Sequence, residues 1–135
     1  MKGETDLQKL LKDMQPKRNE GEYVFCLVKS FQRAAALDPF CIFREDEGVT
    51  VILTKAQADV ASLPYTVVCA WITLTVHSSL EAVGLTAAVS KALTEADISC
   101  NVVAAYYHDH IFVPVKDAGK AMSVLEKLSK EGKVK

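Results

Sequence analysis

One short structural plan is written twice in this chain, and that repeat limits its folds more than any other feature of its 135 residues. With the halves in register, Gly48 lies over Asp109 and Val51-Ile52-Leu53 over Phe112-Val113-Pro114. The first half predicts a strand at Tyr23 to Val28, then a hairpin of Phe40 to Glu45 and Val49 to Leu53 about the turn Asp46-Glu47-Gly48. Thr54-Lys55-Ala56-Gln57 has the form of a capping box and opens a short helix that Pro64 ends. The second half answers with an alternating strand, Trp71 to Val76, and a capping box at Ser78-Ser79-Leu80-Glu81. A helix follows with Leu85, Val89, Ala92, Leu93 and Ala96 on one face. Strands at Ile98 to Tyr107 and Ile111 to Val115 flank the turn His108-Asp109, and Asp117 caps a last helix with Ala121, Val124, Leu125 and Leu128 inward.

The order strand, crossover, strand, hairpin, strand, helix predicts an α+β protein of two fused ferredoxin-like units, with antiparallel sheets and helices on one face. Residues 21–70 form a degenerate unit: eleven residues separate Val28 from Phe40, room for two helical turns at Ser30 to Ala36. Residues 71–135 form the fuller unit, with twenty-one residues between Val76 and Ile98. Tyr65 to Ala70 supplies the fourth strand of the first unit and runs on into Trp71, which predicts two units fused through one long strand and sharing a core. Residues 1–20 hold a helix, opened at Thr5-Asp6-Leu7-Gln8 and carrying Leu7, Leu10, Leu11 and Met14 on one face. Pro16 ends it, and a polar linker begins at Lys17.

Composition removes several function classes. Sixteen basic against seventeen acidic residues give a net charge of −1, with no excess to neutralise a phosphate backbone, so no nucleic acid is expected. Tyr65 to Val76 is the longest mostly apolar run and is too short to cross a membrane. The start, Met1-Lys2-Gly3-Glu4-Thr5-Asp6, lacks the pattern of a signal peptide, so a cytoplasmic protein is expected. Cys26, Cys41, Cys69 and Cys100 each stand alone in an apolar strand, where reduced and buried thiols are expected rather than disulfides or zinc ligands. There is no Gly-rich phosphate loop and no nucleophile elbow, so neither a cofactor nor a catalytic residue is assigned.

The segment His77-Ser78-Ser79-Leu80-Glu81-Ala82-Val83-Gly84-Leu85, then Leu93-Thr94-Glu95-Ala96-Asp97-Ile98-Ser99, then Ala105-Tyr106-Tyr107-His108-Asp109-His110-Ile111-Phe112-Val113-Pro114, resembles the ACT domain, the βαββαβ amino-acid-sensing module. Asp38-Pro39-Phe40 and Phe43 to Thr50 look like the companion unit of small bacterial tandem-ACT proteins, with related repeats in arginine sensors of the CASTOR type. The resemblance implies a non-catalytic regulatory protein, associated as a homodimer, that binds an amino acid and signals to a regulated protein partner. It implies a ligand site at His77, Ser79, Val83, Gly84, Leu85, Ala105, Tyr106 and Asp109.

The residues themselves leave two readings open at each point. Gly84 lets a backbone N–H approach a bound carboxylate at a helix start, or merely allows close helix packing. Asp109 pairs with a ligand's ammonium or basic group, or makes an ordinary turn. His108 and His110, with His77, form an HxH set that a metal could use, though no carboxylate or thiolate partner stands at a recognisable spacing. An interaction module without a ligand is the alternative to the sensor, and a metal protein built on the HxH pair ranks below both.

Overall fold

The computed structural model describes residues 6–76 and 83–132, and the chain divides into two compact units. Unit 1 combines the N-terminal segment through Glu20 with Ala70 onward, and unit 2 runs from Gly21 to Cys69.

Unit 1 begins with α1 (Leu7–Asp13), capped by the Asp6 carboxylate accepting from Lys9 N–H at 3.1 Å. The expected opening at Thr5 lies outside the described residues. Leu10, Leu11 and Met14 are fully buried. The expected linker departs from expectation: Pro16–Arg18 is a strand, β1, antiparallel to β5 (Cys69–Leu74) with Pro16 opposite Leu74. Asn19 extends the pairing, donating its N–H to Trp71 C=O at 2.9 Å. Next come α4 (Leu85–Glu95), β6 (Asn101–Ala104), β7 (Asp109–Pro114) and α5 (Ala118–Glu131). The sheet of unit 1 is ordered β1-β5-β7-β6. Ala70, Ile72, Leu74, Ile111 and Val113 alternate onto one face, where they pack with Leu10, Leu11, Leu85, Val89, Leu93 and Leu125 of the helices. The Ser129 hydroxyl ties α5 to the end of α1 by donating to Met14 C=O at 2.7 Å. Asp117 makes no side-chain cap; a 3-10 turn at Val115–Asp117 leads into α5 instead.

Unit 2 holds β2 (Tyr23–Val28), α2 (Phe31–Ala36), β3 (Cys41–Glu45), β4 (Gly48–Thr54) and α3 (Lys55–Val60). Its strands are antiparallel in the order β3-β4-β2. The stub crossover is α2, as its length dictates. Thr54 and Gln57 form the full reciprocal capping box, and Gln57 also donates to Leu37 C=O at 3.0 Å. Unit 2 has its own core, made of Val24, Cys26, Val28, Ala34, Val49, Val51, Leu53 and Ala58.

The long fusing strand is shorter than predicted. Tyr65 to Val68 is irregular, β5 starts at Cys69, and only Cys69 pairs with β2, opposite Tyr23. Each unit has an apolar cluster of its own. Ile98 to Cys100 and Ala105 to Tyr107 likewise fall outside β6. Cys26 and Cys69 are buried, whereas Cys41 and Cys100 are only half-buried. Among the described residues no helix is long and apolar enough to cross a membrane.

Candidate ligand site

Two loops at one end of β5 and β7 carry the sequence-expected site. The first leads from β5 to α4. His77 and Ser79 fall in it and lie outside the described residues, as does the capping box from Ser78 to Glu81. Val83 is 83% exposed, while Leu85 is buried in the core. Gly84 is the N-cap of α4, at φ +102°, ψ −17°, with no side chain to cap the first turn. The N-cap residue itself therefore offers the N–H groups of that turn no side-chain oxygen. A Cβ on Gly84 would stand 3.0 Å from Leu7 Cδ2, so its missing side chain makes room for α1.

The second loop is the β6–β7 hairpin, closed by Ala105 N–H donating to His108 C=O at 3.0 Å. Tyr106 and Tyr107 form its tip, 65% and 56% exposed, with their rings edge to face. Asp109 is not a turn residue. It opens β7 opposite Ala104 and is 8% exposed. Burial raises its carboxyl above the usual range, and the neighbouring His110 and His108 pull it back down.

The histidines do different work. His108 Nδ1 lies 3.4 Å from Val76 C=O, so that nitrogen carries the proton, and this contact brings the hairpin to the end of β5. His110 Nδ1 accepts from Trp71 Nε1–H at 3.0 Å. An indole N–H only donates, so His110 is a neutral imidazole protonated at Nε2. The Thr73 hydroxyl reaches the same nitrogen at 3.1 Å and itself accepts from Asn19 Nδ2 at 3.0 Å. Burial lowers the pKa of His110, His108 lowers it further, and Asp109 opposes both. Trp71 also stacks on Phe112 at 6.1 Å. Among the described residues no group of three His, Cys, Asp or Glu side chains could hold a metal ion.

The structure thus sets Ala105, Tyr106 and Asp109 on one hairpin, with His108 beside Val76. Gly84 has its close neighbour in Leu7 and so also has a packing role, and Asp109 sits in the β6–β7 ladder opposite Ala104. Sequence reasoning missed Asn19, Trp71 and Thr73. Alternation on β5, with Ile72 and Leu74 inward, was the available sign that Trp71 and Thr73 share the other face.

A helix-covered antiparallel sheet built around a βαββ core, with its exposed loops at a helix start, defines the class. Two ACT-domain profiles match in tandem, over residues 2–70 and 66–127, and the chain belongs to the ACT-domain family. A crystal structure from Vibrio cholerae, of a protein of unknown function described as a possible transport protein, is similar at 45% identity and a TM-score of 0.84. It covers 91% of this chain and 95% of that one. An Agrobacterium tumefaciens protein is 17% identical, with a TM-score of 0.67 over 86% of this chain and 89% of that one. The ligand-free regulatory subunit of aspartate kinase from Thermus thermophilus is 9% identical, with a TM-score of 0.64 over 87% of this chain and 97% of its own, a likeness of fold alone. No curated protein sequence matches.

Proposed function

We propose that the protein is a non-catalytic, cytoplasmic regulator that binds an amino acid at the start of α4 and the β6–β7 hairpin, as a homodimer that a regulated protein partner reads. Asp109 carries the reading: a carboxylate that is 8% exposed, its pKa raised by burial against the pull of His110 and His108, is suited to a ligand's cationic group. The N-terminus of α4, whose N-cap Gly84 has no side chain, offers N–H donors and a positive dipole end for the α-carboxylate. The family supports a small-molecule role, and the likeness in fold to a regulatory subunit agrees with it. Ligand would act by linkage, favouring the packing that the partner recognises.

A thermal-shift panel of the twenty amino acids tests this. A ligand at about 100 times its dissociation constant adds about 2.7 kcal/mol of stability. Calorimetry of Asp109→Asn with that amino acid should then show about 1.5–3 kcal/mol weaker binding. An unchanged affinity would put the pocket elsewhere. If no amino acid shifts the wild type at millimolar concentration, the protein is an interaction module without a ligand. The exposed Tyr106–Tyr107 tip supports that second reading.

A further inference from the structure

The sheet of unit 2 buries one face under α2 and α3, through Val24, Cys26, Val28, Val49, Val51 and Leu53. Strand alternation sends Leu27, Thr50 and Phe43 to the other face, and the register puts them in a single row, Leu27 opposite Thr50 and Thr50 opposite Phe43. Leu27 is 54% and Phe43 66% exposed, unusual for side chains of this size side by side on a sheet. The next row holds Gly48 opposite Glu45, with Lys29 following two residues after Leu27 on the β2 side. The Thr50 hydroxyl donates to the Glu45 carboxylate and holds it to this face.

We propose that this face docks a second copy of the chain, sheet on sheet, about a two-fold axis running along β4. Both β2 and β3 are antiparallel to β4, so they run parallel to each other. A rotation about β4 therefore exchanges them without moving any residue along the strands. Leu27 lands on the partner's Phe43, Phe43 on the partner's Leu27, and Thr50 on the partner's Thr50. Lys29 lands on the partner's Glu45 and Glu45 on the partner's Lys29. Within these two rows every apolar side chain meets an apolar one and every charge its opposite, which is what an isologous interface requires. Gly48 lies under Leu27, with a built Cβ only 3.0 Å from Leu27 Cδ1, so the middle of the charged row has no side chain to hold the sheets apart. The twist of each sheet turns the two by about 30° in such a packing and leaves this central pairing intact. The inference rests on the homodimer of the proposed function and not on its ligand site; a dimer that survives Phe43→Asp would sink this interface and leave the homodimer standing.

Light scattering and sedimentation test it on the full chain. The wild type should be a dimer at tens of micromolar, and Phe43→Asp and Leu27→Asp should be monomers with an unchanged circular dichroism spectrum. Lys29→Glu alone sets like charges together at both contacts, as does Glu45→Lys alone, and each should weaken the dimer by about tenfold or more. Mixing the two single variants restores opposite charges at both contacts, and a mixed dimer should form. A monomeric wild type, or a dimer that survives Phe43→Asp, overturns the proposal. Apolar variants that dissociate while the mixture fails to recover overturn the axis along β4.

Discussion

Replacing Gly84 by alanine tests whether the start of α4 is set by backbone conformation and by α1 together. At φ +102° an L-residue carries left-handed strain of about 1–2 kcal/mol. The new Cβ would also lie 3.0 Å from Leu7 Cδ2, the end of a flexible side chain that can shift at a cost of about 0.5–1 kcal/mol. Alanine stiffens the unfolded chain relative to glycine, which offsets about 0.4–1 kcal/mol. The net loss is about 1–2 kcal/mol, and a β-branched replacement such as valine should lose more. Trp71 is the only tryptophan and sits in unit 1, so its fluorescence follows the affected unit during urea unfolding. The midpoint should fall with the slope unchanged. Leu7→Ala removes the obstructing methyl, so the second substitution made in that background should cost less than it does alone. A loss below about 0.5 kcal/mol for Gly84→Ala would refute the strain argument, and full additivity with Leu7→Ala would refute the contact.

Asp109→Asn should stabilise unit 1 at pH 7 by about 0.5–2 kcal/mol while weakening the ligand, the trade expected of a buried functional acid; a destabilised variant in urea melts would contradict it. Acid should act through His110. Its folded pKa lies below the ordinary value of 6.5, so the unfolded chain binds the proton first, and stability present above pH 6.5 falls as pH drops toward the folded value. His110→Asn should flatten that part of the stability profile, and an unchanged slope would show that another group is responsible. Asp109 has the opposite sign at lower pH: its raised pKa makes protonation favour the folded state as pH falls through it. Thiol labelling at pH 8 should find Cys41 first and Cys100 slowly, because burial pushes the Cys100 thiol up to about 11; fast labelling at Cys100 would contradict its environment.

What could be read from the sequence was short-range. The Thr54–Gln57 box, the length of α2 and the apolar faces of α4 and α5 depend on residues within two turns of one another, and all are present. β1 was hidden because Pro16, Lys17 and Arg18 have neither apolar alternation nor β-branching; their strand exists only because β5, more than fifty residues on, offers an edge. Asp109 looked like a turn because aspartate favours turns, but Tyr106 and Tyr107 make the bend and shift the acid into the ladder. That shift turns a solvated charge into a buried one. The His110–Trp71 bond was equally out of reach, since it joins residues 39 apart that only strand neighbours bring together. The apolar run from Tyr65 misled in the other direction: read as strand, it is irregular until Cys69.

Because α1 and β1 belong with the segments after Ala70, unit 2 is an insertion within unit 1, and the order of synthesis matters. Residues 21–69 hold every strand and helix of unit 2, so all of its core residues are made before β5 is complete. Leu10, Leu11 and Met14 emerge first yet find their helical partners in α4 and α5 only some hundred residues later, roughly 5–20 s at ordinary elongation rates. During that interval the apolar face of α1 has no partner surface to cover it. The nascent chain therefore carries this apolar face uncovered, and a chaperone that holds short apolar helices would find its substrate here.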